Sequence, residues 1–173
     1  MIRVQLPATT ANLGPGFDCM GLALNLWNHF ELSLEGEPGT VEVRTEGEGA
    51  SWLPTDRTNL VAQTMIDETW PGMMPNDTGI RVACLNAIPA ASGLGSSSTA
   101  VLAGLIFASA LSARAIHRDD PSAVLEAVRD PANLQRVLTR AIKLEGHGDN
   151  VAPALLGGLA LVVSHGSPVV RHV

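Results

Sequence analysis

Along this chain, apolar and polar residues alternate with a period of two at several places. Ile2, Val4 and Leu6 form one such run, and Phe30, Leu32 and Leu34 another; Val41 with Val43, and Ile80, Val82 and Cys84, follow. Successive side chains of a strand point to opposite faces, so each run predicts a half-buried β-strand. Between them, Leu60, Val61, Met65 and Ile66 recur at helical spacing, which predicts a helix capped by Thr58 or Asp56 and stopped by Pro71. Asp120 before Pro121, and Asp130 before Pro131, each set a capping carboxylate ahead of a proline at the first helical position, where its missing N–H costs nothing. The apolar stripes of these two helices are Val124, Leu125 and Val128, then Leu134, Leu138 and Ala141. Thr99 to Ala113 is the most apolar run; it falls short of the roughly 18 to 20 residues that span a bilayer and contains Gly104, Ser109 and Ser112, so it predicts a buried helix. Gly157 to Val163 reads as a strand, Ser164 to Pro168 as a turn, and Val169 with Val170 as the start of a returning strand. Glu35 to Gly49, rich in Gly and Glu, reads as an exposed hairpin with its turn.

Composition narrows this picture. With 46% hydrophobic and 16% charged residues in 173, the chain can bury one core, and one domain is the default. Eleven Lys and Arg against 17 Asp and Glu give a net charge of −6, which disfavours nucleic acid or an anionic membrane as the main partner. Any phosphate site must therefore be local. Cys19 and Cys84 lack the paired spacing of a zinc site, and the N-terminus does not resemble a signal peptide, so a cytoplasmic location is expected. The final hairpin would leave a sheet edge of the kind natural domains usually cover, which predicts that the chain is part of a longer protein.

Candidate chemistry concentrates in three places. Pro89 to Thr99 reads PAASGLGSSST and precedes the apolar helix. Gly93 and Gly95 allow close backbone approach to a ligand, and Ser96, Ser97 and Ser98 offer hydroxyls and unpaired N–H groups at a helix start, which attracts polyphosphate. The spacing is neither that of a Walker loop nor GxGxxG, and a plain cap and turn stays open. In the helix from Pro131, Glu145 shares the face of Leu134, Leu138 and Ala141 and should point inward. An inward carboxylate needs a cation or several donors; Mg²⁺ held with a serine hydroxyl is one solution and an ordinary ion pair another. Directly after it, Gly146-His147-Gly148-Asp149-Asn150 crowds polar side chains into a short loop, where Asp149 can accept a proton or orient a hydroxyl. Finally, Pro7 to Gly21 reads as a loop whose Asn12 and Asp18 either hold a small polar substrate or favour a tight turn, and by composition alone the turn reading wins.

Taken together, PATTANLGPGFDCMGLAL, IPAASGLGSSSTA and LEGHGDNVAPALLGGL resemble the three signature regions of the GHMP kinases, in that family's order. The first and third are most similar to the branch that phosphorylates L-homoserine. The resemblance implies an α+β fold of the ribosomal protein S5 domain 2-like type, a mixed sheet with packed helices. Residues 1–173 would form the N-terminal ATP-binding domain, with a C-terminal GHMP domain lying outside this chain. It also implies transfer of the γ-phosphoryl group of ATP, with Mg²⁺, to the side-chain hydroxyl of L-homoserine, giving O-phospho-L-homoserine for threonine biosynthesis.

Carried over by position, the ATP-binding segment would be Pro89, Ala90, Ala91, Ser92, Gly93, Leu94, Gly95, Ser96, Ser97, Ser98 and Thr99, with Gly93 to Ser98 around the phosphates. Ser97 and Glu145 would hold Mg²⁺ and, with Asp149, carry the catalysis; Asn59 would lie near the adenine. Asn12, Asp18, His147 and Asn150 would face homoserine. Gly148 stands where the family commonly has proline, which should loosen the loop. Another GHMP small-molecule kinase, or a nucleotide-binding fragment without catalysis, is the alternative. The expected partners are small molecules, with no nucleic acid and no membrane, and a homodimer is left open.

Overall fold

The computed structural model describes residues 1–14, 18–118, 120–163 and 169–172. Its spine is a long strand, β2 (Met20–Leu34), which has β1 (Ile2–Ala11) antiparallel along nearly its whole length, from Ile2 opposite Leu32 to Ala11 opposite Gly21. The other edge of β2 is shared. Its C-terminal half pairs with β4 (Ile80–Asn86) and its first residues pair with β5 (Leu159–Val163), both antiparallel. Outside these, β3 (Val41–Gly47) lies parallel on β4, and β6 (Val169–His172) lies antiparallel on β5, giving a mixed six-stranded sheet.

Two expectations about strands change. Pro7 does not begin a loop: β1 continues to Ala11 through a bulge between Pro7 and Thr9. Leu6, Pro7, Ala8 and Thr9 are all buried, because α2 (Ser96–His117) and α5 (Val151–Leu156) cover this stretch as well as the sheet, and two-sided burial erases the alternation that marks a strand. Nor does Glu35 to Gly49 form a hairpin. β4 lies between β2 and β3, so β3 runs parallel to β4, and parallel neighbours need a crossover, which α1 (Leu60–Glu68) supplies. The final strand pairing is as expected; its Ser164 to Pro168 turn lies outside the described residues.

One helix organises the core. α2 (Ser96–His117) is 22 residues long, longer than its apolar run suggested and long enough by length and composition to cross a membrane, but 78% of its most apolar window is buried inside the fold. Leu102, Leu105, Phe107 and Leu111 pack there with Phe30, Leu32 and Val82 of the sheet. α1 lies close against α2 through Gly104, where an added Cβ would stand 2.6 Å from Thr64 Cβ and 2.7 Å from the Val61 carbonyl oxygen. The cap of α1 is Asn59, whose Oδ1 accepts from Val61 N at 3.0 Å; Asp56 instead accepts from Thr58 in the turn before it. A side chain reaches the free N–H groups of the first turn only from the position immediately before the helix, and Asn59 holds that position.

α3 (Pro121–Arg129) and α4 (Pro131–Glu145) begin as expected on Asp120 and Asp130, each accepting two backbone N–H groups. Their faces differ. Val137, Leu138 and Ala141 of α4 are buried, whereas no residue of α3 is, and Leu125 stays 48% exposed because α3 packs only along the far end of α2 and against α4. A short helix absent from the sequence reading, α5 (Val151–Leu156), packs under β1 and β5.

The Gly104 contact yields a test. Replacing Gly104 with Val should lower the unfolding free energy by about 2–3 kcal/mol, since the branch must displace α1 backbone as well as a side chain. Urea denaturation measures this, and an unchanged midpoint would mean that the helices are not in such close contact.

Candidate phosphate and hydroxyl site

The site forms where α2 starts. Gly95 takes the N-cap position in a left-handed conformation (φ 73°), and no side chain caps the helix. The first helical bond is Thr99 N–H to the Gly95 carbonyl at 3.0 Å, so the N–H groups of Ser96, Ser97 and Ser98 have no helical acceptor. Such an end carries a partial positive charge and open donors, the combination that attracts anions. Glycine is required at 95: besides its φ, an added Cβ would stand 2.3 Å from Thr9 Oγ1. Thr9 N–H donates to the Leu94 carbonyl at 3.0 Å and ties the glycine loop to β1. The loop also folds on itself, with Ser92 Oγ donating to the Pro89 carbonyl at 2.7 Å and Ala91 held at φ 55°.

Glu145 reaches this helix start from the last turn of α4. Ser97 Oγ donates to its Oε1 and Ser98 Oγ to its Oε2, each at 2.7 Å. Glu145 therefore does point inward, and two hydroxyls, rather than an ion pair, hold it half-buried. Arg140 fixes α4 to α1 with bonds of 2.6 and 2.8 Å to Glu68, and Arg136 Nη2 donates to Ser109 of α2 at 2.9 Å. Gly146 then ends the helix at φ 84°.

The turn that follows is well packed. Asp149 is 3% exposed, and its Oδ1 accepts from the Asn150 N–H at 3.0 Å and pairs with His147 Nδ1 at 2.8 Å. A carboxylate only accepts, so His147 donates from Nδ1. Thr9 Oγ1 donates to Asn150 Oδ1 at 2.8 Å, which joins this turn to the glycine loop. An added Cβ on Gly21 would stand 1.7 Å from the Asp149 carbonyl oxygen, so β2 lies directly against the turn. Gly148 does not leave the turn slack: it is buried, and a Cβ there would press Val162 Cγ1 at 2.8 Å and Ile142 Cδ1 at 3.1 Å.

Asn12 and Asp18 close their own loop, the Asp18 N–H donating to Asn12 Oδ1 at 3.2 Å with both residues at positive φ and exposed. They flank the Ala11 and Gly21 pair, so their loop leaves the sheet at the end where Gly21 meets Asp149. Among the described residues no hydrogen bond joins either to the His147–Asn150 turn. Pro15, Gly16 and Phe17 lie outside the described residues.

Beside Ser96 and Ser97 opens a largely apolar cavity of about 260 Å³, walled by Phe30, Trp52, Leu53, Cys84, Ile88 and Ala90 among others. Asn59 also lines it, but its Oδ1 caps α1 and its Nδ2 donates to the Pro54 carbonyl at 2.9 Å. Burial pushes the Cys84 thiol up to about 12, so it is a neutral wall group.

Two supporting residues escaped the sequence reading. One is Thr9. The other is Asn28, 1% exposed, whose Nδ2 donates to Thr99 Oγ1 at 3.0 Å while its Oδ1 accepts from Ala87 N at 2.9 Å and Ile88 N at 3.0 Å. Its signal was present: Asn28 interrupts the inward row that Phe30 and Leu32 continue.

The profile described as the GHMP kinases N terminal domain matches residues 59–158. A homoserine kinase from Cutibacterium acnes is 39% identical over 173 residues, which are 99% of this chain and 53% of that protein. The crystal structure of homoserine kinase from Cytophaga hutchinsonii superposes with a TM-score of 0.72 at 28% identity, covering 99% of this chain and 51% of that one. A mevalonate kinase, at 11% identity and a TM-score of 0.62, shares the fold. These likenesses bear out the expected α+β, mixed-sheet fold, and the chain spans about half the length of the relatives it matches.

Asn28→Ala should cost about 2–3 kcal/mol, because it strips partners from the buried Ile88 N–H, from the part-buried Ala87 N–H and from Thr99. Thermal or urea unfolding measures the loss; a change within error would show that the α2 start does not depend on this amide.

Proposed function

Because the chain belongs to the GHMP kinase family, matched through that family's N-terminal domain, we propose that it forms the nucleotide-binding half of an ATP-dependent homoserine kinase. The observation that carries the proposal is the uncapped start of α2 with Glu145 held over it by Ser97 and Ser98. The relatives from Cutibacterium acnes and Cytophaga hutchinsonii cited above are themselves homoserine kinases. On this reading the chain is the N-terminal ATP-binding domain, and a C-terminal domain completes the substrate cage.

Each residue then has a task. The N–H groups of Ser96, Ser97 and Ser98 bind the phosphates, Gly93 and Gly95 let them approach, and the apolar cavity takes the base. Among the described residues no three His, Cys, Asp or Glu side chains cluster as a metal site. Ser97 and Glu145 still offer the hard oxygen donors that suit Mg²⁺, which keeps much of its shell as water and phosphate oxygen. When bound, Mg²⁺ neutralises charge that develops on the transferring phosphoryl group. In the transfer, the acceptor oxygen bonds to the γ-phosphorus as the bond to the β-phosphate oxygen breaks, and the hydroxyl loses its proton. Asn12, Asp18, His147 and Asn150 hold homoserine, and Asp149, fixed by His147 and Asn150, orients that hydroxyl or accepts its proton. Such catalysis rests on positioning and charge, so a well-oriented acceptor can suffice. The net charge of −6 suits small-molecule partners rather than nucleic acid or an anionic membrane.

Titration with Mg²⁺-ATP and then L-homoserine, with ADP release followed in the same sample, tests the proposal. Binding with turnover identifies a self-sufficient kinase, and binding without turnover a half-site that needs its C-terminal domain. Glu145→Gln should make nucleotide binding much less dependent on Mg²⁺, and Ser97→Ala should weaken it less. Mg²⁺ dependence unchanged in Glu145→Gln would remove the metal role.

A further inference from the structure

The hydroxyl of Thr9 stands where a side chain at position 95 would be. The Cβ that Gly95 lacks would lie 2.3 Å from Thr9 Oγ1 and 3.5 Å from Asn150 Oδ1, so β1, the uncapped start of α2 and the His147–Asn150 turn meet at one point. Thr9 is 0% exposed, and its hydroxyl proton goes to Asn150 Oδ1 at 2.8 Å. Filling this space would be served as well by valine, which has nearly the shape of threonine and which strands favour. The hydroxyl is what needs a reason.

Its bond decides which way the Asn150 amide faces. A carboxamide accepts on its oxygen side and donates on its nitrogen side. Turned round, the amide would set Nδ2 against Thr9 and leave a fully buried hydroxyl proton with no acceptor among the described residues, a cost that native interiors rarely bear. The backbone of Asn150 is held as well, its N–H donating to Asp149 Oδ1 at 3.0 Å and its carbonyl accepting from Ala154 N at 3.2 Å. Oδ1 is therefore taken. Nδ2 has no partner among the described residues, and it does not belong to the polar atoms that are sealed from solvent unpaired. On Asp149 both bonds end on Oδ1, and Oδ2 carries none among the described residues. Neighbouring residues of the turn thus keep one donor and one acceptor in reserve.

Resting on the reading of this chain as part of a phosphoryl-transfer site, we propose that Thr9 is a positioning residue: through Asn150 Oδ1 it turns Nδ2 towards an acceptor oxygen of the ligand at the start of α2. The Asn150 amide then acts only as a donor. The oxygen belongs to a phosphate on the N–H groups of Ser96, Ser97 and Ser98 or to the alcohol, and a lone pair is all that Nδ2 requires of it. In the first case the amide adds a donor to the positive end of α2; in the second it leaves the alcohol proton directed at Asp149. Thr9 itself touches neither.

Nuclear magnetic resonance on the isotope-labelled chain tests this through the side-chain NH₂ pair of Asn150, identified by its loss in Asn150→Asp. Inorganic tripolyphosphate is added to one sample, and Mg²⁺-ATP followed by L-homoserine to another, for the unaltered chain, Thr9→Ser and Thr9→Val. The pair should shift in the unaltered chain and in Thr9→Ser. A shift already with tripolyphosphate identifies the phosphate oxygen, and a shift only when L-homoserine joins Mg²⁺-ATP identifies the alcohol. Thr9→Val should weaken binding of the ligand that moves the pair by roughly 3- to 10-fold, and Thr9→Ser should restore it. In Thr9→Val the pair should move much less, while the amides of Ser96, Ser97 and Ser98 still respond. An NH₂ pair unmoved by ligands that bind, binding by Thr9→Val as tight as by the unaltered chain, or no rescue by Thr9→Ser would overturn the role of Thr9 and leave the phosphate site standing. The first of these is decided on the unaltered chain even if Thr9→Val does not fold. Failure of the unaltered chain to bind either tripolyphosphate or Mg²⁺-ATP would overturn the nucleotide reading itself, and the role of Thr9 with it.

Discussion

α1, α3 and α4 each begin on an Asn or Asp whose side chain takes the first free N–H groups, whereas α2 begins on Gly95, which has no side chain to offer. Three donors at the start of the longest helix are left open, and the surroundings are built to keep them so. Thr9 holds Leu94 from one side, Asn28 holds Thr99 from beneath, and Ser97 and Ser98 point their hydroxyls at Glu145 rather than back at their own turn. Leaving donors unpaired costs stability, and a rigid frame lets that cost persist until an anion arrives.

The frame also couples parts of the chain that are far apart in sequence. Asn150 lies 141 residues from Thr9 and Glu145 lies 48 from Ser97, yet each pair is joined by a single hydrogen bond. Because Arg140 and Arg136 anchor α4 to α1 and α2, the Glu145 carboxylate is placed before any ligand binds. In the proposed phosphoryl transfer, preorganised charge of this kind would need no rearrangement, and electrostatic stabilisation of that sort does most of the work in such reactions.

Local chemistry was legible wherever it was self-contained. Asp120-Pro121 and Asp130-Pro131 start helices because cap and proline act within one turn, and the inward face of Glu145 follows from helical spacing alone. The glycine loop was legible as a helix start suited to an anion, though its uncapped state depends on where the neighbouring side chains point. What could not be read was set by distant partners. β1 runs past Pro7 because β2 pairs with it, and β3 is parallel because β4 lies between it and β2. Asn12 and Asp18 share a loop in both readings, and only their common end of the sheet with Asp149 links them to the site.

The central claim is that the open N–H groups of Ser96, Ser97 and Ser98 receive the phosphates, and amide chemical shifts report on that contact directly. On addition of Mg²⁺-ATP, the largest shifts should fall on these three amides and on Gly93 and Gly95, with inorganic tripolyphosphate reproducing them. Shifts confined to other segments, with the start of α2 unmoved, would contradict the account.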